Sequence, residues 1–165
     1  MADMLVRLYS LPEVDEKQKA LEEDGIVVKR VQPWERSPLR RFIEDHFSEG
    51  WADEAETALV NKPITCFVAQ DGDRMVGFAA YECTRRDFFG PMGVDEAYRK
   101  RGIGAVLTLK CLHAMYEMGY GYAIIGAAGP TGFYEKCCGA EIIEDSKPGI
   151  YQGTKAHYPP PGDEA

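Results

Sequence analysis

Tyr98-Arg99-Lys100-Arg101-Gly102-Ile103-Gly104 is a dense cationic, glycine-rich stretch in an otherwise acidic chain. An apolar run, Phe88 to Val94, precedes it, and an amphipathic run opens at Ile103. That is the layout of a strand, a phosphate-cradling turn and a helix N-terminus. Exposed backbone N–H groups, the helix dipole and nearby cations hold a polyanion in such a turn. The stretch therefore predicts a site for a phosphate-bearing ligand.

Downstream, apolar residues at 103, 107, 111, 114, 115 and 118 follow a 3.6-residue period and predict a helix to Met118, stopped by Gly119 and Gly121. Tyr122 to Ile125 reads as a buried strand, 131 to 138 as a short helix ended by Gly139, and 140 to 144 as a last strand. Upstream, Ile64–Ala69 and Met75–Cys83 read as a hairpin about the turn Asp71-Gly72-Asp73. Gly90-Pro91 inside the Phe88–Val94 strand predicts a bulge or a splayed edge, because proline cannot donate to a ladder. Further back come a strand at Ile26–Val31 and helical pattern from Ser37 to Leu59, broken between Ser48 and Trp51. The order predicts an α+β fold, one sheet with helices on both faces.

Composition narrows the partners. The chain has 165 residues, 45% hydrophobic and 28% charged, as expected of one ordinary globular domain. A net charge of -8 argues against nucleic acid, whose binders carry a basic face. No run nears the roughly 18 apolar residues of a membrane span, and the N-terminus lacks a signal peptide's charged-then-apolar pattern. The five cysteines, Cys66, Cys83, Cys111, Cys137 and Cys138, are odd in number and lack metal-type spacing. Reduced thiols in a cytoplasmic protein without a metal are the expectation.

Two common phosphate motifs fail on the 98–104 turn. A Walker A loop has no match. As a dinucleotide fingerprint, Gly102-Ile-Gly104-Ala-Val-Leu107 lacks the third glycine, and no acidic residue follows at ribose distance. A third pattern, R/Q-x-x-G-x-G/A, fits Arg99-Lys100-Arg101-Gly102-Ile103-Gly104. This hexapeptide resembles the acetyl-CoA pyrophosphate loop of the GCN5-related N-acetyltransferases (GNAT). Gly132-Phe133-Tyr134-Glu135-Lys136, which resembles the family's F-Y-x-K segment, and Gly139-Ala140 stand at family spacing. The resemblance covers roughly Ile26 to Tyr151 in element order.

The resemblance implies a mixed, mostly antiparallel sheet with a splayed strand pair at the site, and an acetyl-CoA-dependent N-acetyltransferase that acts by direct transfer. The acceptor would be the amine of a small molecule or a peptide. The implied donor site comprises Met92, Gly93, Val94, Arg99, Lys100, Arg101, Gly102, Ile103, Gly104, Ala105, Phe133 and Lys136. Gly93 and Val94 would offer freed N–H groups to the thioester carbonyl. Tyr134 would be the general acid to the departing thiolate, with Glu82 or Asp87 as candidate general bases.

Acceptor-side walls are expected from 37–59, 84–87 and 147–151, with Trp34, Trp51, Phe47 and Tyr81 as candidates. Glu44, Asp45, Glu49, Asp53 and Glu54 are candidates for steering a cation. Residues 1–24 read as an extension packing on the domain, 25–153 as the domain and 154–165 as a flexible tail. Folds of this kind commonly dimerise. The competing reading is an acyl-CoA-binding sensor without transfer activity.

Overall fold

Glycines and prolines cut the chain into the elements that the structure displays. The computed structural model describes residues 1–153 together with 155, 156 and 162. Strands β1 (Met4–Arg7), β2 (Ile26–Arg30), β3 (Cys66–Asp71), β4 (Arg74–Tyr81), β5 (Phe88–Val94), β6 (Tyr122–Ile125) and β7 (Glu141–Ile142) form one sheet. Its order is β2-β3-β4-β5-β6-β1-β7, and each neighbouring pair is antiparallel except β5–β6. The helices are α1 (Asp15–Glu23), α2 (Arg36–His46), α3 (Glu49–Glu56), α4 (Ile103–Glu117) and α5 (Thr131–Cys138). The α+β architecture is as the sequence implies, including the break between α2 and α3, where Ser48 Oγ caps Trp51 N–H at 3.1 Å.

Helices cover both faces because alternate residues of the central strands point to opposite sides. Phe67, Ala79 and Tyr81 join α1, α4 and α5 in one apolar cluster, whereas Val68, Phe78 and Ala80 join α2 and α3 in the other. With both faces buried, β4 reads as a continuous apolar run rather than an alternating one. At Gly77 an added Cβ would lie 3.1 Å from Leu107 Cδ1, so the bare backbone is what lets α4 settle on β4. The buried side of α4 is broader than the predicted stripe. Val106, Leu109 and Leu112 are buried as well, while Met118 is exposed, because α1 and the turn after β1 cover the helix from the far side.

Residues 1–24 are not material laid against a finished domain. Met4–Arg7 is a strand of the sheet, with Met4 opposite Ile125 of β6 on one side and Ile142 of β7 on the other. A division between 24 and 25 thus cuts through one continuous sheet and core. The last strand is shorter than the predicted 140–144. Apart from residues 155, 156 and 162, the expected tail lies outside the described residues. Among the described residues no helix is long and apolar enough to cross a membrane.

Candidate active site

The site is a gap in the sheet. β5 and β6 pair only at Phe88–Ile124 and Phe89–Ile125, then part. Two devices separate them. On β5, the register against β4 shifts between Ala79 and Tyr81, opposite the Gly90-Pro91 segment, and Gly90 takes φ 117. After β6, the chain is drawn toward β1: buried Asp3 accepts from Ala127 N–H at 2.7 Å, and Ala2 C=O accepts from Ala128 N–H at 2.9 Å. Asp3 is a positioning residue that the sequence did not single out.

Strand alternation decides which N–H groups face the gap. Asp95 N–H donates to Val76 C=O at 2.8 Å, one step beyond the Gly77–Val94 pair. Gly77–Val94 is therefore a non-hydrogen-bonded pair and Phe78–Gly93 a bonded one. The Gly93 N–H is spent on β4; those of Val94 and Met92 face the gap. Of the two expected donors only Val94 is so turned, and Met92 takes the place of Gly93. Gly93 has another task. An added Cβ would stand 2.3 Å from Phe47 Cζ, so the missing side chain is what admits the Phe47 ring over the strand.

Beyond β5 the cationic turn meets α4. Gly102 caps the helix at φ 85, a left-handed conformation that glycine adopts freely, and no side chain caps the helix here. The N–H groups of Ile103, Gly104 and Ala105 have no intrahelical acceptor, so the helix offers them with its positive dipole end to an anion. Arg99 and Lys100 border the same cleft, whose volume is about 600 Å³. Arg99 Nε donates to Val94 C=O at 3.3 Å, which ties the cation to the rim of the gap. Phe133 closes the floor 3.5 Å from where a Gly104 Cβ would be.

Arg101 and Lys136 do not line this cleft. Arg101 lies over the Tyr98 ring at 5.2 Å and 3.5 Å from Asp24, and Tyr98 Oη donates to Asp71 at 2.9 Å. Both residues anchor the turn to its surroundings. Lys136 is on the exposed side of α5. On the other flank, Asp95 accepts from Ala97 N–H at 3.0 Å, and this bond holds its carboxyl below the usual range, helped by His46 and Arg74.

Two further cavities continue the cleft through the gap. The first, about 170 Å³, is bordered by Phe89, Pro91, Met92, Ile125 and Tyr134. Tyr134 is buried, edge-on to Phe133 at 5.0 Å and to Phe89 at 6.0 Å. Burial pushes its phenol well up, so the proton stays on it. The second, about 690 Å³, opens between Trp51 and Glu54 of α3, Thr84, Phe89 and Tyr151. Segments 37–59, 84–87 and 147–151 do meet here. Of the candidate walls, Trp51 borders the cavities and Phe47 the cleft, whereas Trp34 is 78% exposed and Tyr81 is buried on the α4 side.

Glu82 and Asp87 border none of these three spaces. Both take left-handed backbone angles, φ 58 and φ 65, at the two ends of the turn whose Thr84 borders the far cavity. Asp87 N–H donates to Glu82 Oε1 at 2.6 Å, and Glu82 borders a separate pocket beside Arg30 and Glu117. Burial, then the Glu82 charge, pushes the Asp87 carboxyl up to about 6. A general base at either position is therefore set aside. The cysteines are free; burial pushes the Cys66 and Cys111 thiols up and keeps them unreactive.

Known proteins share this arrangement. A family model described as an acetyltransferase (GNAT) domain matches residues 62–137. No curated protein sequence matches the chain. Among solved structures, the GCN5-related glucosamine N-acetyltransferase region of a fungal multi-domain GH3 β-N-acetylglucosaminidase superposes with a TM-score of 0.70 at 16% identity, over 86% of this chain and 19% of that one. A GCN5-related N-acetyltransferase from Sphaerobacter thermophilus gives 0.67 at 19% identity, over 86% of this chain and 48% of that one. One from Kribbella flavida gives 0.59 at 17% identity, over 86% and 53%. The chain spans about half or less of these proteins' length, and at these identities the likeness is one of fold. The match at 62–137 covers just under half of the chain; with the parted strands and the glycine turn, it makes the chain similar to the GNAT acetyltransferases, whose fold it has.

Proposed function

We propose that this protein is an acetyl-CoA-dependent N-acetyltransferase that moves the acetyl group directly to the amine of a small molecule or peptide. The carrying observation is the row of three adjoining spaces along the gap in the sheet, all walled in part by Trp51, with an N–H-lined cationic turn at one end and a separate cavity at the other. The turn fits a pyrophosphate: free helix N–H groups, glycine at the approach and two cations at the rim. The Met92 and Val94 N–H groups fit the extended, amide-bearing arm that joins pyrophosphate to thioester. At the thioester the same strand polarises the carbonyl. The neutral amine attacks the carbonyl carbon, and the C–S bond breaks as the C–N bond forms. The Tyr134 phenol, kept protonated by burial, donates its proton to the leaving sulfur. The proton shed by the amine nitrogen passes to water in the far cavity, and water reprotonates Tyr134.

The competing reading is an acyl-CoA sensor without transfer activity. Such a module needs the turn and the gap, but not the 690 Å³ space on the far side, and that space favours the enzyme. The acidic charge of -8 supports an amine rather than nucleic acid as partner, and free cysteines support a reducing, cytoplasmic setting. The test is acetyl-CoA turnover across a panel of amines, read as free thiol. Amine-dependent thiol release is expected. Tight CoA binding without transfer to any amine would instead establish the sensor.

A further inference from the structure

The far cavity has a chemical polarity of its own. Among the side chains of its described lining residues Glu54 supplies the one carboxylate and Lys155 the one cation; the other side chains are apolar, aromatic or neutral. Glu54 sits on the last turn of α3, half-buried, and Thr84 Oγ1 donates to its Oε1. That bond fixes the carboxylate against the β4–β5 turn, and among the described residues Oε2 has no hydrogen-bond partner. The charge is felt within the cavity: burial first, and Glu54 next, push the Tyr151 phenol up. Trp51, Phe89 and Tyr151 supply aromatic walls around it.

We infer that Glu54 is the residue that selects the acceptor, holding the ammonium of a primary monoamine whose body is apolar or aromatic. This rests on the transferase reading above. A half-buried carboxylate with one oxygen free pairs with an ammonium more strongly than an exposed one does. Faces of tryptophan and tyrosine add attraction for the same cation and cover an apolar substituent. One carboxylate cannot neutralise several ammonium groups, and Lys155 reaches over Gly50, one helical turn before Glu54, with its Nζ 3.9 Å from the site of a Gly50 Cβ. A polyamine would therefore meet one counter-charge and one repulsion. The cavity selects for a single positive charge.

The sequence gives this test a built-in reporter. There are two tryptophans, and Trp34 is 78% exposed, so Trp34→Phe leaves Trp51 as the sole indole, on the cavity wall. In that background, with CoA saturating the donor cleft, phenethylamine, 2-phenylethanol and spermidine are titrated against Trp51 fluorescence. Phenethylamine is expected to bind at least about tenfold more tightly than either of the others. Glu54→Gln, which keeps an oxygen for Thr84 but loses the charge, is expected to weaken phenethylamine about tenfold or more. Glu54→Asp is expected to recover part of that loss, and the Kd for CoA to stay within about twofold throughout.

Equal affinity for phenethylamine and 2-phenylethanol would overturn the inference. So would unchanged phenethylamine affinity in Glu54→Gln, or no saturable response to phenethylamine while CoA still binds. Failure of CoA to bind the unaltered protein would fall instead on the transferase reading.

Discussion

On the proposed reading, the two ends of the site would recognise their ligands by different means. At the donor end the contacts are backbone groups on regular elements: the first N–H groups of α4, and those of Met92 and Val94 on β5. At the acceptor end they are side chains from separate parts of the chain, Trp51 and Glu54 on α3, Thr84 after β4, and Tyr151 near the C-terminus. A polyanion of fixed shape can be held by amides that any sequence supplies, provided glycine clears the approach. An amine needs a carboxylate at one point in space, and only the assembled fold puts one there. The donor end is therefore generic, and the acceptor end belongs to this chain.

Four substitutions test that contrast. Tyr134→Phe keeps the packing on Phe89 and Phe133 but removes the proton, so kcat should fall by about 100-fold or more while the Kd for acetyl-CoA holds. Equal losses in both would reduce Tyr134 to packing. Gly104→Val puts branched carbons over the cleft floor, beside Phe133. Calorimetry should show CoA binding about 30-fold weaker, with amine affinity at Glu54 intact. A loss of amine affinity too would mean the two ends are not separable.

Smaller effects separate the two arginines. Arg99→Glu should weaken CoA about tenfold at low salt and less at high salt, because the charge faces the cleft. Arg101→Glu should cost less affinity and lower Tm instead, since its partners are Asp24 and the Tyr98 ring. The reverse ranking would break the assignment.

The smallest effect lies outside the passage. Asp87 titrates near 6 in the fold against an ordinary 3.8, so its acid form favours folding, and that stability is lost as pH rises through 6. Asp87→Asn should therefore raise Tm at pH 7 but not at pH 4. The gain is worth roughly 1 kcal/mol once solvent screening is allowed for, with amine affinity untouched. A large fall in amine affinity would return Asp87 to the acceptor site.

Legibility follows the same contrast. The turn at 98–104 and the Gly90-Pro91 irregularity are legible because a helix-capping glycine turn and a break in a strand follow from local backbone chemistry, whereas the Phe133-Tyr134 pair is legible only through the family resemblance. Gly93 was misassigned as a donor because the sequence does not carry the phase of a strand, and one residue of phase turns every N–H to the other side. Asp3 was missed because its work is to bind Ala127, far along the chain. Glu54 is named in the sequence only as one of five acidic residues of a helical region that could steer a cation, with nothing to set it apart from the other four. What distinguishes it is Thr84, which arrives from the other side of the hairpin β3–β4. Glu82 and Asp87 stand at the strand ends predicted for them, but neither borders the three spaces, and Glu82 lines a separate pocket instead.

The place of β1 has a consequence for how the molecule is assembled. β3 to β5 form a meander whose strands meet neighbours close in sequence, and β2 joins it across the excursion through α2 and α3, so that half can close before β6 is made. β1 finds partners only in β6 and β7, made long after it, and Met4-Leu5-Val6 must wait unpaired until they emerge. The two halves join along β5 and β6, at two residue pairs. The ligand passage is the open remainder of that seam. On the proposed reading, a donor molecule lying in it would touch the early half through β5 and the late half through Phe133 on α5, and so would act as a rivet between them. Its binding raises the unfolding temperature by mass action, and the late half should gain the most protection from hydrogen exchange.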